Sequence, residues 1–269
     1  MKFLPSDVSR LGAKITRRDA CATISAFSAL AATSGRAFAQ APNVMTWNFD
    51  NLNSVGGFGI KADGAPKVVD TAAGKAIQFD GVKDGLIVDK HPLENLSTWT
   101  LEAMARFDAG GELQPRWVHL GETDPATGLN VKLSDPTKPT SDGNARFTFE
   151  GRIKDGNIWF ESFCAGPTPD GKSYSNALID PAKTHPLGQW VAVSQTYDGK
   201  VHRAYVNGVL EQEKPMDNYI VQKKGRAGIG MRQNRIYYFK GLFKTLRYAP
   251  VALSPDQLLK VPDALIKNP

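Results

Sequence analysis

Cysteine is nearly absent. Two in 269 residues cannot frame a disulfide-built scaffold. No stretch approaches ~18 uninterrupted apolar residues, so a stable membrane span is not expected. The chain contains no P-loop, GxGxxG fingerprint, HExxH pair or CxxC pair. Those absences remove the main signatures of kinases, dinucleotide folds and zinc-finger proteins. Helical periodicity is scarce, and no repeat occurs at solenoid or propeller spacing. What remains is a globular mixture, 41% hydrophobic and 22% charged. That is enough apolar mass for a core and too even a mixture for a disordered chain.

Residues 1–39 read as an export leader. Lys2, Arg10, Lys14 and Arg17-Arg18 make a basic start, and a small-residue, weakly apolar run follows over 20–32. Ala37-Phe38-Ala39 then supplies the small-x-small pattern before cleavage at Gln40. The Arg pair, with Thr16 before it and Asp19 after, points to the twin-arginine route. The alternative is an ordinary Sec leader with a chance Arg pair. Cys21 has no lipobox before it, which argues against a lipid anchor. Either route predicts a periplasmic or secreted protein. Taking the leader's six basic and two acidic residues from the chain's 33 and 27 leaves 27 and 25, a net of +2. The basicity belongs mostly to the leader, so a nucleic-acid role loses its support. Cys164, the one cysteine left, reads as a small buried hydrophobe.

Asp-Gly or Asn-Gly pairs begin at Asp63, Asp80, Asp84, Asp142, Asp155, Asp170, Asp198 and Asn207. Such pairs favour tight turns, because Gly accepts positive φ and the Asx side chain bonds the local backbone. Between them lie short alternating or β-branched runs. These predict strands over 44–49, 76–79, 86–88, 99–107, 117–120, 145–149, 157–163, 191–197, 202–206 and 236–248. One short helix is expected over 254–260, with Ser254 as N-cap and Pro255 at the first helical position. The Pro-rich stretch 135–142 reads as a surface loop. The pattern predicts an all-β antiparallel sandwich or jelly roll, one domain over 42–269.

Three segments carry a resemblance: 76–108 (AIQFDGVKDGLIVDKHPLENLSTWTLEAMARFD), 188–210 (GQWVAVSQTYDGKVHRAYVNGVL) and 239–258 (FKGLFKTLRYAPVALSPDQL). They are similar, in the same order, to the laminin-G-like jelly-roll domains of the concanavalin A-like lectin/glucanase superfamily. The shared features are a strand ending in FDG, a Trp-opened hairpin around Tyr197-Asp198-Gly199, and a closing strand that begins F-x-G and ends near Ala-Leu-Ser. The resemblance implies two packed antiparallel sheets with one open face. It also implies calcium as a cofactor at the sandwich edge, for which Asp50, Asn51, Asp80 and Asp84 are candidate donors. Lys244 stands where the family often carries an acidic residue, and its ammonium would oppose a cation.

The E-x-D-x-x-E spacing of the superfamily's glucan hydrolases, which sets its acids on one strand face, is absent. A lyase, or an acid pair drawn from different strands, stays open. Polar strand positions are Glu102, Arg106, Arg146, Glu150, Arg152, Glu161 and Arg203. They read either as a solvated face with cross-strand ion pairs or as a charged groove. Arginine's planar donors suit carboxylates, and Trp117, Trp159, Tyr205, Tyr237 and Tyr238 are candidate stacking rings. Alternation, together with the basic loop 226–235, groups Arg106, Arg116, His119, Glu150, Arg232 and Tyr237 as one candidate ligand face. His119 and Glu150 are the candidate catalytic groups. His202 and Gln195 replace apolar residues of the family pattern and point to a shared polar pocket. His91 and His185 precede prolines in loops and show no partner.

The function read from these residues is an exported carbohydrate or glycan binder. A glycan-acting lyase or hydrolase is the alternative, and a protein-binding or adhesion module the third. The oligomeric state is left open.

Overall fold

A computed structural model describes residues 43–132, 135–140, 146–167, 173–217, 219 and 221–267. The expected leader, 1–39, lies outside the described residues, as do the Asp142 and Asp170 turns. In chain order the strands are β1 (Met45–Asn48), β2 (Ser54–Val55), β3 (Phe58–Asp63), β4 (Lys67–Thr71), β5 (Gly74–Asp80), β6 (Gly85–Val88), β7 (Trp99–Phe107), β8 (Arg116–Gly121), β9 (Asn130–Lys132) and β10 (Asp135–Thr140). There follow β11 (Arg146–Lys154), β12 (Asn157–Pro167), β13 (Ser173–Leu178), β14 (His185–Pro186), β15 (Trp190–Tyr197), β16 (Val201–Val206), β17 (Val209–Pro215), β18 (Arg226–Ile229), β19 (Lys240–Ala249) and a terminal helix α1 (Asp263–Lys267).

Two antiparallel sheets pack face to face as a jelly-roll sandwich. The first runs β17-β16-β15-β7-β19-β5-β4, with β1 also on β19; the second runs β13-β12-β11-β8-β18-β6-β3-β2, with β14 on β12. Among the described residues no helix is long and apolar enough to cross a membrane.

Turn chemistry closes the hairpins. At Asp155-Gly156 (φ 52 and 75) and Asn207-Gly208 (φ 50 and 79), both residues take positive φ. That is the primed turn that matches the twist of paired strands. Gly241, the glycine of the F-x-G segment, has φ 147, and a Cβ there would sit 1.9 Å from the Arg106 carbonyl oxygen. Only glycine lets β19 lie against β7 at this point.

Alternation along β7 sends Trp99, Leu101, Ala103, Ala105 and Phe107 into the space between the sheets. Phe107, Trp117, Phe149 and Phe239 meet there, with centroids 5.1 Å (Phe107–Trp117), 5.0 Å (Trp117–Phe149) and 4.8 Å (Phe107–Phe239) apart.

The other side of β7 is also buried. The segment after β19 folds back over the outer face of the first sheet. Leu253 and Leu258 pack with Tyr205, while Val261 and Leu265 pack with Met104, Trp190 and Leu242. Glu102 is therefore 0% exposed, contrary to the reading of it as part of a solvated face. It accepts hydrogen bonds from Ser194 Oγ, Arg247 Nε and the Leu259 amide.

Three local expectations are corrected. Residues 254–260 form turns rather than a helix. The Ser254–Gln257 turn does form, but Glu102 takes the Leu259 amide and Pro262 follows, so no helical ladder propagates. Residues 135–140, expected within a loop, form β10, paired with β9 across a register shift between Asp135 and Pro139; a proline inside such a shift has no ladder bond to donate. The last strand starts at Lys240, not 236: Ile236 bridges back to Arg232, and Arg235 and Tyr237 both take positive φ.

Candidate functional site

The outer face of the second sheet gathers most of the candidate residues. The β11–β12 hairpin has Thr148 opposite Phe163, Glu150 opposite Glu161 and Arg152 opposite Trp159. With Phe147, Phe149, Ile158 and Phe160 in the core, these pairs fall on the far side. On β8, His119 faces Thr148 and Arg116 faces Glu150. Between those pairs the register shifts, leaving Trp117 unpaired. The bulge turns the Trp117 indole into the core and keeps Arg116 outside.

An ionic lattice joins these side chains. Glu150 Oε2 lies 3.1 Å from Arg116 Nη2 and 3.2 Å from Arg152 Nη2. The same Arg152 nitrogen reaches Glu161 Oε2 at 2.9 Å. Thr148 Oγ1 donates to Glu150 Oε1, and Trp159 Nε1 donates to Glu161 Oε1, both at 2.9 Å. The Arg116 guanidinium sits 3.8 Å from the Tyr237 ring centroid, and that of Arg146 4.6 Å from Phe163. Glu150 and Glu161 are 7% and 8% exposed, so these pairs are far less screened than surface ones.

His119 is wholly buried, and neither ring nitrogen has a hydrogen-bond partner among the described residues. Burial pushes its pKa well below the usual imidazole range, and Arg232, Arg146, His91 and Arg116 press it further down. It is a neutral imidazole at pH 7. The loop after β18 is tied beside it: Gln233 Nε2 donates to the carbonyls of His119 (3.1 Å) and Arg226 (2.9 Å), and Thr123 Oγ1 donates to Gln233 Oε1. Burial is also the main cause that lowers the Arg232 pKa, with Arg146 and Arg116 adding to it.

Arg116, His119, Glu150, Arg232 and Tyr237 thus come together. Arg106 does not. It lies on the outer face of the first sheet, bonded to Asp108 through Nε (3.0 Å) and Nη2 (3.2 Å). Period-two counting put it with the others because alternation gives a side of a strand, not which sheet the strand joins. Thr148 escaped the sequence reading, although the spacing Arg146, Thr148, Glu150, Arg152 carries the signal.

His202 and Gln195 do share a polar pocket, but between the sheets. His202 Nε2 lies 2.7 Å from Gln195 Oε1 and 3.2 Å from Ser162 Oγ, and its Nδ1 lies 3.2 Å from Asn176 Oδ1. Burial lowers the His202 pKa to about 3. His185 has a partner, Glu211 Oε1 at 2.9 Å.

The calcium candidates serve the backbone. Asp80 Oδ1 accepts the amides of Val82, Lys83 and Asp84, while Asp84 accepts those of Ala65 and Asp80. Asp50 accepts the Asn51 side-chain amide. Burial alone would raise the Asp80 pKa, but its amide bonds outweigh that and lower it. Among the described residues no group of three or more His, Cys, Asp or Glu could hold a metal ion.

A family model described as the concanavalin A-like lectin/glucanases superfamily matches residues 80–259. A search of curated proteins by sequence finds no match. Among solved structures, domain 4 of AbnA, a GH43 extracellular arabinanase from Geobacillus stearothermophilus in complex with arabinotriose, is similar at 21% identity and TM-score 0.53. The alignment covers 79% of this chain and 94% of that one. The ligand-binding domain of botulinum neurotoxin serotype D, in complex with N-acetylneuraminic acid, is similar at 13% identity and TM-score 0.52, over 79% of this chain and 48% of that one. The binding domain of Paraclostridial Mosquitocidal Protein 1 gives 13% and 0.52, over 80% and 50%. The match thus spans about half the length of each of these last two structures. The sheet order and the family match agree, and the chain belongs to the concanavalin A-like lectin/glucanases superfamily.

Proposed function

We propose that this chain is an exported protein that binds a glycan on the outer face of its second sheet. The observation that carries the reading is the lattice of Arg116, Glu150, Arg152 and Glu161 beside the Tyr237 and Trp159 rings. Sugar hydroxyls both donate and accept, and ionised side chains give the stronger, charge-assisted hydrogen bonds. Two similar folds were solved with sugars bound, arabinotriose and N-acetylneuraminic acid, which supports the class of ligand. The test is a glycan array followed by calorimetry. Glu150→Gln and Tyr237→Ala should each weaken binding at least tenfold with the circular dichroism unchanged. Undiminished binding in both would move the ligand elsewhere. Export is tested by Arg17-Arg18→Lys-Lys in a fusion to a folded reporter, where loss of export is expected.

A second reading, a glycan-acting enzyme, draws on one observation. Glu150 and Glu161 face each other from neighbouring strands, so two strands supply the acid pair that no single strand holds. New reducing or unsaturated ends that vanish in Glu150→Gln or His119→Ala would favour it. Binding without products favours the binder.

A further inference from the structure

The outer face of the first sheet holds a polar trough, on the side of the sandwich away from the lattice. In Cα register Lys67 faces Gln78, Gln78 faces Leu242, Leu242 faces Arg106 and Arg106 faces Trp190. Five adjoining strands, β4, β5, β19, β7 and β15, therefore contribute one residue each to a single transverse row. At about 4.8 Å per strand the row is roughly 19 Å long.

Two adjoining cavities lie over it. One of about 280 Å³ is lined by Asp70, Thr71, Gln78, Arg106 and Trp190, among others. One of about 380 Å³ is lined by Lys67, Gln78, Asp80, Asp84, Asp108 and Lys240, among others. Gln78 lines both. The cluster of Val261 and Leu265 with Trp190 and Leu242 bounds one side. The turn capped by Asp80 bounds the other.

The chemistry of the lining selects its occupant. Gln78 is exposed, and its side-chain amide bonds no described residue. Lys67 and Lys240 form no ion pair among the described residues, and Arg106 keeps Nη1 free beyond its two bonds to Asp108. Four carboxylates (Asp70, Asp80, Asp84, Asp108) and three cations (Lys67, Arg106, Lys240) line the two cavities, and Asp70 is itself paired to Lys75 at 3.0 Å, so the remaining three of each sign balance. A neutral chain of hydroxyls, each donor and acceptor, matches a lining that mixes ionised donors and acceptors. Leu242 and Trp190 are 3% exposed, which leaves no apolar anchor for a peptide or lipid.

We propose that this trough is a second glycan-binding groove, taking a neutral oligosaccharide of a few units along the open stretch from Lys67 past Gln78 to Arg106. It stands apart from the charged face, and either can fail alone. With a groove on each outer face, one molecule can bridge two glycan chains.

The test is an NMR titration of the full chain with uncharged xylotetraose, cellotetraose, mannotetraose and arabinotetraose. At least one should shift the Gln78 side-chain amide and the Arg106 Nε–H saturably. Gln78→Ala and Arg106→Lys should each weaken that binding at least tenfold, while Glu150→Gln leaves it unchanged. Gln78 is exposed, so its substitution does not threaten the fold. The proposal is overturned if no probe moves Gln78 or Arg106 at millimolar concentration, or if the shifts persist at full affinity in both variants. Shifts confined to residues around Tyr237 overturn it too, while leaving the reading of the charged face standing.

Discussion

Glu150 and Glu161 stand directly opposite each other on β11 and β12, and one nitrogen of Arg152 reaches both carboxylates, at 3.2 and 2.9 Å. Like charges directly opposed destabilise an antiparallel pair, so the guanidinium is what makes the arrangement tolerable. Arg152→Ala should lower stability by about 1–3 kcal/mol, because it takes one charged donor from each of two nearly buried carboxylates and leaves them facing each other. Adding Glu161→Gln should restore part of the loss. Urea denaturation at pH 7 measures both. A single variant as stable as the parent would reduce the bridge to surface decoration.

Acid should destabilise the fold through its buried histidines. Burial lowers His91 to about 4 and His202 to about 3, and His119 is held well below its ordinary value. In the unfolded chain each titrates near ~6.5. The unfolded state therefore binds protons that the folded state refuses. Stability is fully present above pH ~6.5 and falls as the pH drops towards 4 and 3, by up to about 1.4 kcal/mol per pH unit for each histidine. Urea midpoints between pH 7 and 4.5 should show it, with a shallower slope in His202→Asn. An unchanged slope in that variant would remove His202 from the account.

Glu102 should act as the clasp of the C-terminal segment. Glu102→Ala removes the acceptor for Ser194, Arg247 and the Leu259 amide at once. Breaking a buried charge pair from one side costs about 3–5 kcal/mol. Limited proteolysis should then cut after residue 250 well before the sandwich itself opens. Resistance equal to that of the parent would mean that Val261 and Leu265 hold the segment unaided.

Trp117 and Trp190 are both buried, in different places. Trp117 sits in the aromatic core between the sheets, Trp190 under the C-terminal segment. Each Trp→Ala change should cost on the order of 3–5 kcal/mol. Only Trp190→Ala should also free the C-terminal segment to protease. Gly241→Ala should cost at least the ~1–3 kcal/mol of a strained backbone position, since its Cβ meets the Arg106 carbonyl. Thermal denaturation checks all three.

Alternation and turn chemistry are local, and they were legible. Trp99 to Phe107 alternates cleanly enough to mark β7 at both ends, and Asp155-Gly156 and Asn207-Gly208 mark their turns because only a few residue types accept positive φ. Even the Gln195–His202 pocket could be read, as two polar residues where a strand face should be apolar. The site is a different matter. Arg106 and Glu150 look alike in sequence, each a charged residue on the polar side of a strand. They end on opposite faces of the sandwich because β7 joins the first sheet and β11 the second. The Trp117 bulge, which leaves Arg116 beside Glu150, exists only as a mismatch between two paired strands. Glu102 read as a solvated acid until the C-terminal segment folded over it. The sequence by itself determined which side chains are polar, where strands turn and which side of a strand each residue takes. Which sheet a strand joins, what covers that sheet, and which charges then meet are set by long-range pairing. No local pattern encodes that, because a period of two repeats identically in every strand.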